Sequence, residues 1–354
     1  TVILPDDTVE PEDIVTPSDQ AERLRQLTTG PVVGFAQTDV VENADPVVRY
    51  VEAGTGHVYE INLVTEDSRR VSATTIPLAN KAAITPNGLH VLIQSDFGSR
   101  ASYIAGTIST TSDSLSNFEL NENIVSFTAT EENEFLFAAA GTGELVVKKF
   151  NPTTGNISVE FTVPFVDATI AWHHTNAGPH IVYPKTTYQL EGYVYSYTNG
   201  QVSRTNATGY GLSAVGSTDT TIFSEINSET YDTYSVDKNS LTAKQTQLSL
   251  VPEKCAFAQS SPVVAICGVS FTEPPYQMPD IWYRGEYTSD DLIWEYNTLR
   301  ESARLLASPE AATGRKIDLI NPQFSPDDSN FYFQNKADET LWVYAYITNL
   351  PISN

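Results

Sequence analysis

The sequence predicts an all-β fold, a seven-bladed β-propeller of four-stranded blades closed by an N-terminal strand. Three observations predict it. Helical periodicity is almost absent, and short alternating runs rich in Val, Ile, Tyr, Phe and Thr are cut by Gly, Pro, Asn and Asp turns. One type of run recurs through the chain, beginning at Val47 (VVRYVEA), His90 (HVLIQSD), Glu134 (EFLFAAA), His180 (HIVYPKT), Thr221 (TIFSEIN), Val263 (VVAICGV) and Asn330 (NFYFQNK). All but one of the intervals between these starts fall at roughly 41–46 residues, the length of one four-stranded blade.

The neighbouring runs repeat in step. Before each lies an inner strand: VVGFAQT, KAAITPN, IVSFTAT, TIAWHHT, GLSAVGS, KCAFAQS and NPQFSPD. After most lies a third strand, as in HVYEINL, ELVVKKF, GYVYSYT, DTYSVDK, LIWEYNT and LWVYAYI. TPNG, TEEN, TNAG and SPDD between first and second strands carry tight-hairpin chemistry. One blade cannot bury both faces of its sheet, whereas a closed ring of blades can.

Ring closure is expected from the N-terminus. Residues 23–28 (RLRQLT) precede the first inner strand as RRVSATT precedes the second, and are read as the outer strand of blade seven. A short helix opened by Thr16-Pro17-Ser18-Asp19 is the alternative. Residues 1–21 are expected to form an acidic tether and 22–354 the propeller. The exceptional interval, between blades six and seven, adds about 24 residues, assigned to insertions at 271–295 and 300–316. Insertions in repeat folds emerge on one face, often the binding face.

Composition excludes some functions. The net charge of −24 leaves no basic patch for nucleic acid and disfavours adsorption to anionic lipid. No apolar run reaches the ~18–20 residues of a membrane helix. The sequence begins at Thr1, as expected of a processed form or fragment. Contact with a membrane is expected only through an anchor these residues do not include.

Cys255 and Cys267 flank the hairpin KCAFAQSSPVVAIC, and reflection about Ser261 sets them opposite each other. Opposed residues of antiparallel strands approach disulfide reach, so a bridge, and with it export, is expected. Two buried free thiols are the alternative.

No catalytic constellation is present, and neither a metal nor another cofactor is expected. His57, His90, His173, His174 and His180 show no ligand spacing, and His173-His174 is read as polar turn residues. GxSxG is absent, and Gly54-Thr55-Gly56 and Gly141-Thr142-Gly143 lie in hairpin turns without a phosphate-loop Lys. Asp327-Asp328 is read as turn chemistry. The candidate contact surface is the first insertion, where Tyr276, Asp280, Trp282, Tyr283, Glu286 and Tyr287 set aromatics beside carboxylates, as a peptide- or glycan-binding loop does. A solvated loop packing its aromatics onto a blade would look the same. Trp282 and Tyr283 are the leading ligand candidates; Trp294, within the strand LIWEY, is expected to be structural.

TPNGLHVLI and SPDDSNFYF resemble the blade turn of WD40-like, TolB-type propellers. PEKCAFAQSSPVVAIC, PDIWYRGEYTSDDLIWEYN, IDLINPQFSPDDSNFYFQNKADETLWVYA and VVRYVEAGTGHVYEIN resemble uncharacterised propellers of candidate-phyla bacteria, over roughly residues 22–347. The resemblance implies the propeller fold, an exposed location and a preceding membrane anchor; it supplies no catalytic residue. The expected function is a surface-displayed binding or assembly module contacting protein or glycan, self-association included, rather than an enzyme. A hydrolase or lyase at the axial pocket, and a structural coat or filament subunit, are the alternatives.

Overall fold

A computed structural model describes residues 22–38, 45–96, 100–109, 111–227, 229–238 and 242–346. The expected tether, residues 1–21, lies outside them. The described chain is a succession of antiparallel meanders. Blade 1 is Val32–Gln37, Val47–Glu52, Val58–Asn62 and Ser68–Ser72; blade 2 is Ala79–Ile84, His90–Ser95, Ser102–Ile108 and Leu115–Leu120. Blade 3 is Ile124–Ala129, Phe135–Ala140, Leu145–Phe150 and Ile157–Val163; blade 6 is Cys255–Phe257, Val264–Ser270, Asp291–Asn297 and Ser302–Ala307. Observed second strands begin within one residue of the positions read from the repeat.

Blades 4 and 5 depart from that plan. They form one seven-stranded sheet of Ala168–Ala171, His180–Pro184, Glu191–Thr198, Gln201–Gly216, Thr220–Asn227, Thr230–Asp237 and Ala243–Gln245. The long strand Gln201–Gly216 is the outer strand of blade 4 in its first half and the inner strand of blade 5 in its second. Two glycines let it turn between these roles. Gly211 has φ +57, and a Cβ there would meet the Met278 carbonyl oxygen at 2.7 Å.

The N-terminus closes the ring. Leu24–Gln26 pairs antiparallel with Leu341–Ala345, Leu24 opposite Tyr344, as the outer strand of a blade completed by Leu319–Phe324 and Asn330–Asn335. The strand is shorter than the expected 23–28, and Glu22 and Arg23 before it are helical; the start of the alternative helix, Thr16–Asp19, lies outside the described residues. Leu24 is buried in the core between blades 6 and 7 with Phe331, Phe333, Trp342 and Tyr344. On the other side of blade 7, Tyr332, Leu341 and Val343 pack on Val32, Phe35 and Val48 of blade 1. Similar apolar clusters fill the remaining inter-blade gaps. Each fully buried Phe or Leu in them contributes about 1.5–3 kcal/mol, so the blades are held chiefly through these facing surfaces.

A meander of four strands puts its loops at two ends. The hairpins joining first to second strands define a turn face. The loops joining second to third strands, and each blade to the next, define a loop face. On the turn face, consecutive blades are stitched by hydrogen bonds. Asn133, at φ 60, accepts from the Asn87 amide at 2.8 Å. The Glu131 amide donates to the His174 carbonyl at 2.8 Å. Asp328 accepts from the amides of Gln259 and Ser260 at 2.8 and 2.7 Å. Asp327 caps its own turn, accepting from the Ser325 hydroxyl at 2.6 Å. The pair Asp327-Asp328 therefore serves the turn.

The insertion departs from its sequence boundaries. Residues 271–290 form the loop, with one helical turn at Asp280–Tyr283, and regular strand resumes at Asp291. Within 300–316, Ser302–Ala307 is the ordinary outer strand of blade 6; the extra chain is the turn of helix Pro309–Thr313 and its flanks.

Candidate functional site

The first insertion lies across the loop face from blade 4 to blade 7. Its foundation is a buried ionic cluster. Lys254 stands at the end of a single turn of 3-10 helix, Pro252–Lys254, that leads into the inner strand of blade 6. Asp318 stands at the equivalent place before the inner strand of blade 7, and Asp291 opens the third strand of blade 6. The Lys254 ammonium donates to Asp291 Oδ2 and Asp318 Oδ1, each at 2.6 Å, and all three side chains are at most 2% exposed. The Ser289 hydroxyl donates to Asp318 Oδ1 at 2.9 Å, and the Leu319 amide to Asp291 Oδ2 at 2.7 Å.

Trp282 is set into this cluster. Its indole N–H donates to Asp318 at 2.9 and 3.1 Å. Lys254 and Lys336 ammonium groups lie 5.0 and 4.4 Å from its ring centroid, within cation–π range. Lys336 also donates to the Trp282 carbonyl. Two cations and two carboxylates thus balance around one indole. Burial pushes the Asp291 carboxyl up, against the pull of Lys254. Burial pushes Lys336 down, against the attraction of Asp318. Desolvation of this kind is offset only when partners and geometry are nearly complete.

This placement corrects the expectation that Trp282 faces a ligand. It is 4% exposed and anchors the loop, packed with Tyr231, Val251 and Met278. The physical reason is the Asp318 carboxylate, which gives the indole N–H a buried acceptor. Asp280 is likewise committed inward, accepting the Tyr188 amide of blade 4 at 2.6 Å. Tyr287 is half-buried, with its hydroxyl 3.0 Å from that of Ser270. Glu286 is exposed and engaged by Arg284 at 2.7 and 3.0 Å, which holds its carboxyl below the usual range.

Tyr283 and Tyr276 reach the surface. The Tyr283 ring is half-exposed, while its hydroxyl donates to Glu253. Buried Tyr183 of blade 4 donates to the same oxygen at 3.0 Å. Burial pushes the Glu253 carboxyl up, and these two phenols oppose that. Burial and the neighbouring carboxylate hold both phenols well above the usual tyrosine value, so they remain donors. Tyr276 is 43% exposed and meets Tyr188 edge-on, ring centroids 6.3 Å apart. Phe271, at the loop's start, is 70% exposed.

Cys255 and Cys267 are directly opposed across the first two strands of blade 6 and form a disulfide. Trp294 lies opposite Cys267 and is half-buried against the core between blades 5 and 6. His173 and His174 sit in the turn of blade 4. The His173 amide donates to His180 Nδ1 at 3.1 Å, and burial drives His173 down to about 3 and His180 to about 4. Among the described residues no group of three or more His, Cys, Asp or Glu is placed to hold a metal ion.

Lys254, Asp318, Lys336, Glu253 and Tyr188 carry the site yet were not singled out in the sequence. One signal was present. Lys254 and Asp318 are opposite charges directly before the inner strands of successive blades, a coincidence visible once the repeats are aligned.

No family model matches the chain, and no curated protein does. Among solved structures, it is similar to the β-propeller domain of the Trilobed protease from Pyrococcus furiosus, with 11% identity and a TM-score of 0.51 over 92% of this chain and 99% of that one. It is similar also to oligogalacturonate lyase from Vibrio parahaemolyticus, with 9% identity and a TM-score of 0.57 over 93% of this chain and 94% of that one. At such identity the likeness speaks for the fold alone: the chain is folded as a β-propeller.

Proposed function

We propose that the chain is an extracytoplasmic, surface-displayed binding or assembly propeller that contacts a protein or glycan partner through the loop face at the first insertion. The observation that carries this reading is the contrast within the loop. Trp282 is locked into the Lys254–Asp291–Asp318 cluster, while Phe271, Tyr276 and Tyr283 turn aromatic surface outward. A loop already fixed in place loses little conformational entropy on binding, and aromatic rings supply large contact area. Export is supported by the disulfide; no helix of the described residues is long and apolar enough to cross a membrane. Kinship with TolB-type propellers of candidate-phyla bacteria is part of the same proposal.

The test is to screen the full chain on a glycan array and a displayed peptide library beside F271A/Y276A. A ligand retained by the parent and lost by an equally stable variant is the expected result. Identical profiles would overturn the reading.

Glu253 favours a second reading. A carboxyl that burial pushes up on this face, against the pull of two phenol donors, is a candidate general acid, and one structural neighbour is a lyase. Cleavage of oligogalacturonate by the parent, lost in Glu253→Gln with an unchanged thermal midpoint, would establish it. No turnover by either protein would remove it.

A further inference from the structure

Between blades 1 and 2, toward the turn face, lies a cavity of about 340 Å³, within the size range of small-molecule sites. Its first wall is a ladder on blade 1. Arg49, Glu60 and Arg69 are directly opposed on three neighbouring strands, so their side chains share one face of the sheet. Arg49 donates from Nε to Glu60 Oε2 at 2.9 Å, and from Nη1 to the Gly88 carbonyl of blade 2. Arg69 donates from Nε to Glu60 Oε1 at 3.0 Å. One carboxylate thus serves two guanidinium groups, and one positive charge is left unbalanced. Arg49 and Glu60 are largely covered, whereas the Arg69 side chain is 69% exposed.

The second wall belongs to blade 2. The loop that follows Ser102–Ile108 is fastened to blade 1: the Ala73 amide donates to the Asp113 carbonyl, and the Leu115 amide to the Thr74 hydroxyl, each at 2.9 Å. Asp113 lines the cavity from this loop and is exposed. Among the described residues Arg69 pairs only with Glu60, and Asp113 pairs with no cation. Val71, Leu89 and Ile108 give the same cavity an aliphatic lining. We propose that this cavity binds a free aliphatic α-amino acid as its zwitterion. Arg69 takes the carboxylate, Asp113 takes the ammonium, and Val71, Leu89 and Ile108 receive the side chain.

Charge selects this occupant. A guanidinium and a carboxylate that line one cavity without pairing with each other suit a ligand carrying both signs. A simple anion meets Asp113, a simple cation meets the unbalanced arginine charge, and a neutral sugar leaves both groups unpaired. The planar guanidinium of Arg69 is also matched to a carboxylate by shape. The lining then selects among amino acids: three aliphatic side chains favour an apolar one. The ladder holds the site ready, because Glu60 fixes both arginines while Arg49 and the loop bonds tie the two blades together. The cavity lies on the face opposite the insertion, so it does not depend on the contact surface proposed there.

The experiment is a calorimetric titration of the full chain at low ionic strength, where exposed charge pairs are least screened. The probes are L-leucine, isocaproate, which lacks its ammonium, and isoamylamine, which lacks its carboxylate. Leucine should bind more tightly than either analogue. Arg69→Gln should weaken leucine about fivefold, the scale of a solvent-exposed ion pair, and leave isoamylamine no weaker; Arg69→Lys should recover part of the loss. Asp113→Asn should weaken leucine to a similar extent and leave isocaproate no weaker. Leu89→Ala should remove the preference for leucine over glycine. Arg300→Gln, which deletes an exposed charge elsewhere, should bind leucine like the parent. Leucine binding no tighter than its two analogues, or weakened equally by Arg69→Gln and Arg300→Gln, would overturn the proposal. So would the absence of leucine binding, or glucose competing for the cavity as well as leucine does.

Discussion

The two faces of the ring close their seams with different chemistry. On the turn face, blades meet through backbone amides and short side chains, as at Asn87–Asn133, Glu131–His174 and Asp328–Gln259. Most of these residues are half-buried, and burial pushes the one histidine among them, His174, below its ordinary value. On the loop face at blades 6 and 7, the join is a buried trio of charges beside Trp282, with half-buried Lys336 over the indole ring. A seam of separate hydrogen bonds is replaceable piece by piece, because each bond contributes only about 0.5–1.5 kcal/mol net. An ionic join is not, since removing one partner strands another in a dry interior. That stiffness is concentrated beneath the exposed aromatics of the insertion, where a contact surface gains most from being held in advance.

Breaking the ionic join should have the largest effect. Lys254→Met leaves Asp291 and Asp318 buried without their shared cation, and should cost about 3–5 kcal/mol in urea denaturation. Adding D291N and D318N should recover part of the loss. A cost under about 1 kcal/mol would mean that the cluster is wet and the anchoring weak.

Acid should separate the faces. His180 is fully buried and its value is lowered from 6.5 to about 4. The unfolded chain therefore takes up a proton below about pH 6.5 that the fold refuses until about pH 4, and stability falls with pH across that window. The slope for one such histidine is about 1.4 kcal/mol per pH unit. His173 acts in the same direction. Glu253 and Asp291, whose values are raised, act oppositely, because the fold holds their protons more tightly as pH falls. In His180→Phe, urea denaturation as a function of pH should lose about one proton's worth of slope; an unchanged slope would mean that His180 titrates normally in the fold.

Smaller again is Asp328→Ala, which removes the carboxylate serving two amides of blade 6 and should cost about 1–3 kcal/mol by the same measurement. Hydrogen exchange should quicken at Gln259 and Ser260 and stay unchanged in the insertion. Quickening in both places would show that the two faces are coupled.

The contrast also explains what was legible in sequence. The turn face is local: TPNG and SPDD name their own geometry, the hairpin sets Cys255 opposite Cys267, and the repeat fixes the blades. The closing strand at Leu24–Gln26 followed from the same periodicity, because its partner is fixed once the blades are counted. The loop face is non-local. Whether Trp282 points inward depends on Asp318 and Lys336, which lie 36 and 54 residues away in sequence and meet it only when blade 7 packs on blade 6. The continuous strand Gln201–Gly216 was hidden for a related reason: nothing in the repeat marks where one blade's outer strand ends when no loop intervenes.

The two faces can be set against each other in a single measurement. Take the strongest ligand found by the glycan and peptide screens, and compare its affinity for F271A/Y276A with that for N87A/N133A. The first pair alters exposed rings on the loop face, where substitutions stay within about 0.5 kcal/mol of parental stability; the second alters the opposite, turn face. If the insertion is the contact surface, F271A/Y276A binds at least about tenfold more weakly and N87A/N133A binds like the parent. A parental affinity in F271A/Y276A together with a loss in N87A/N133A would contradict it.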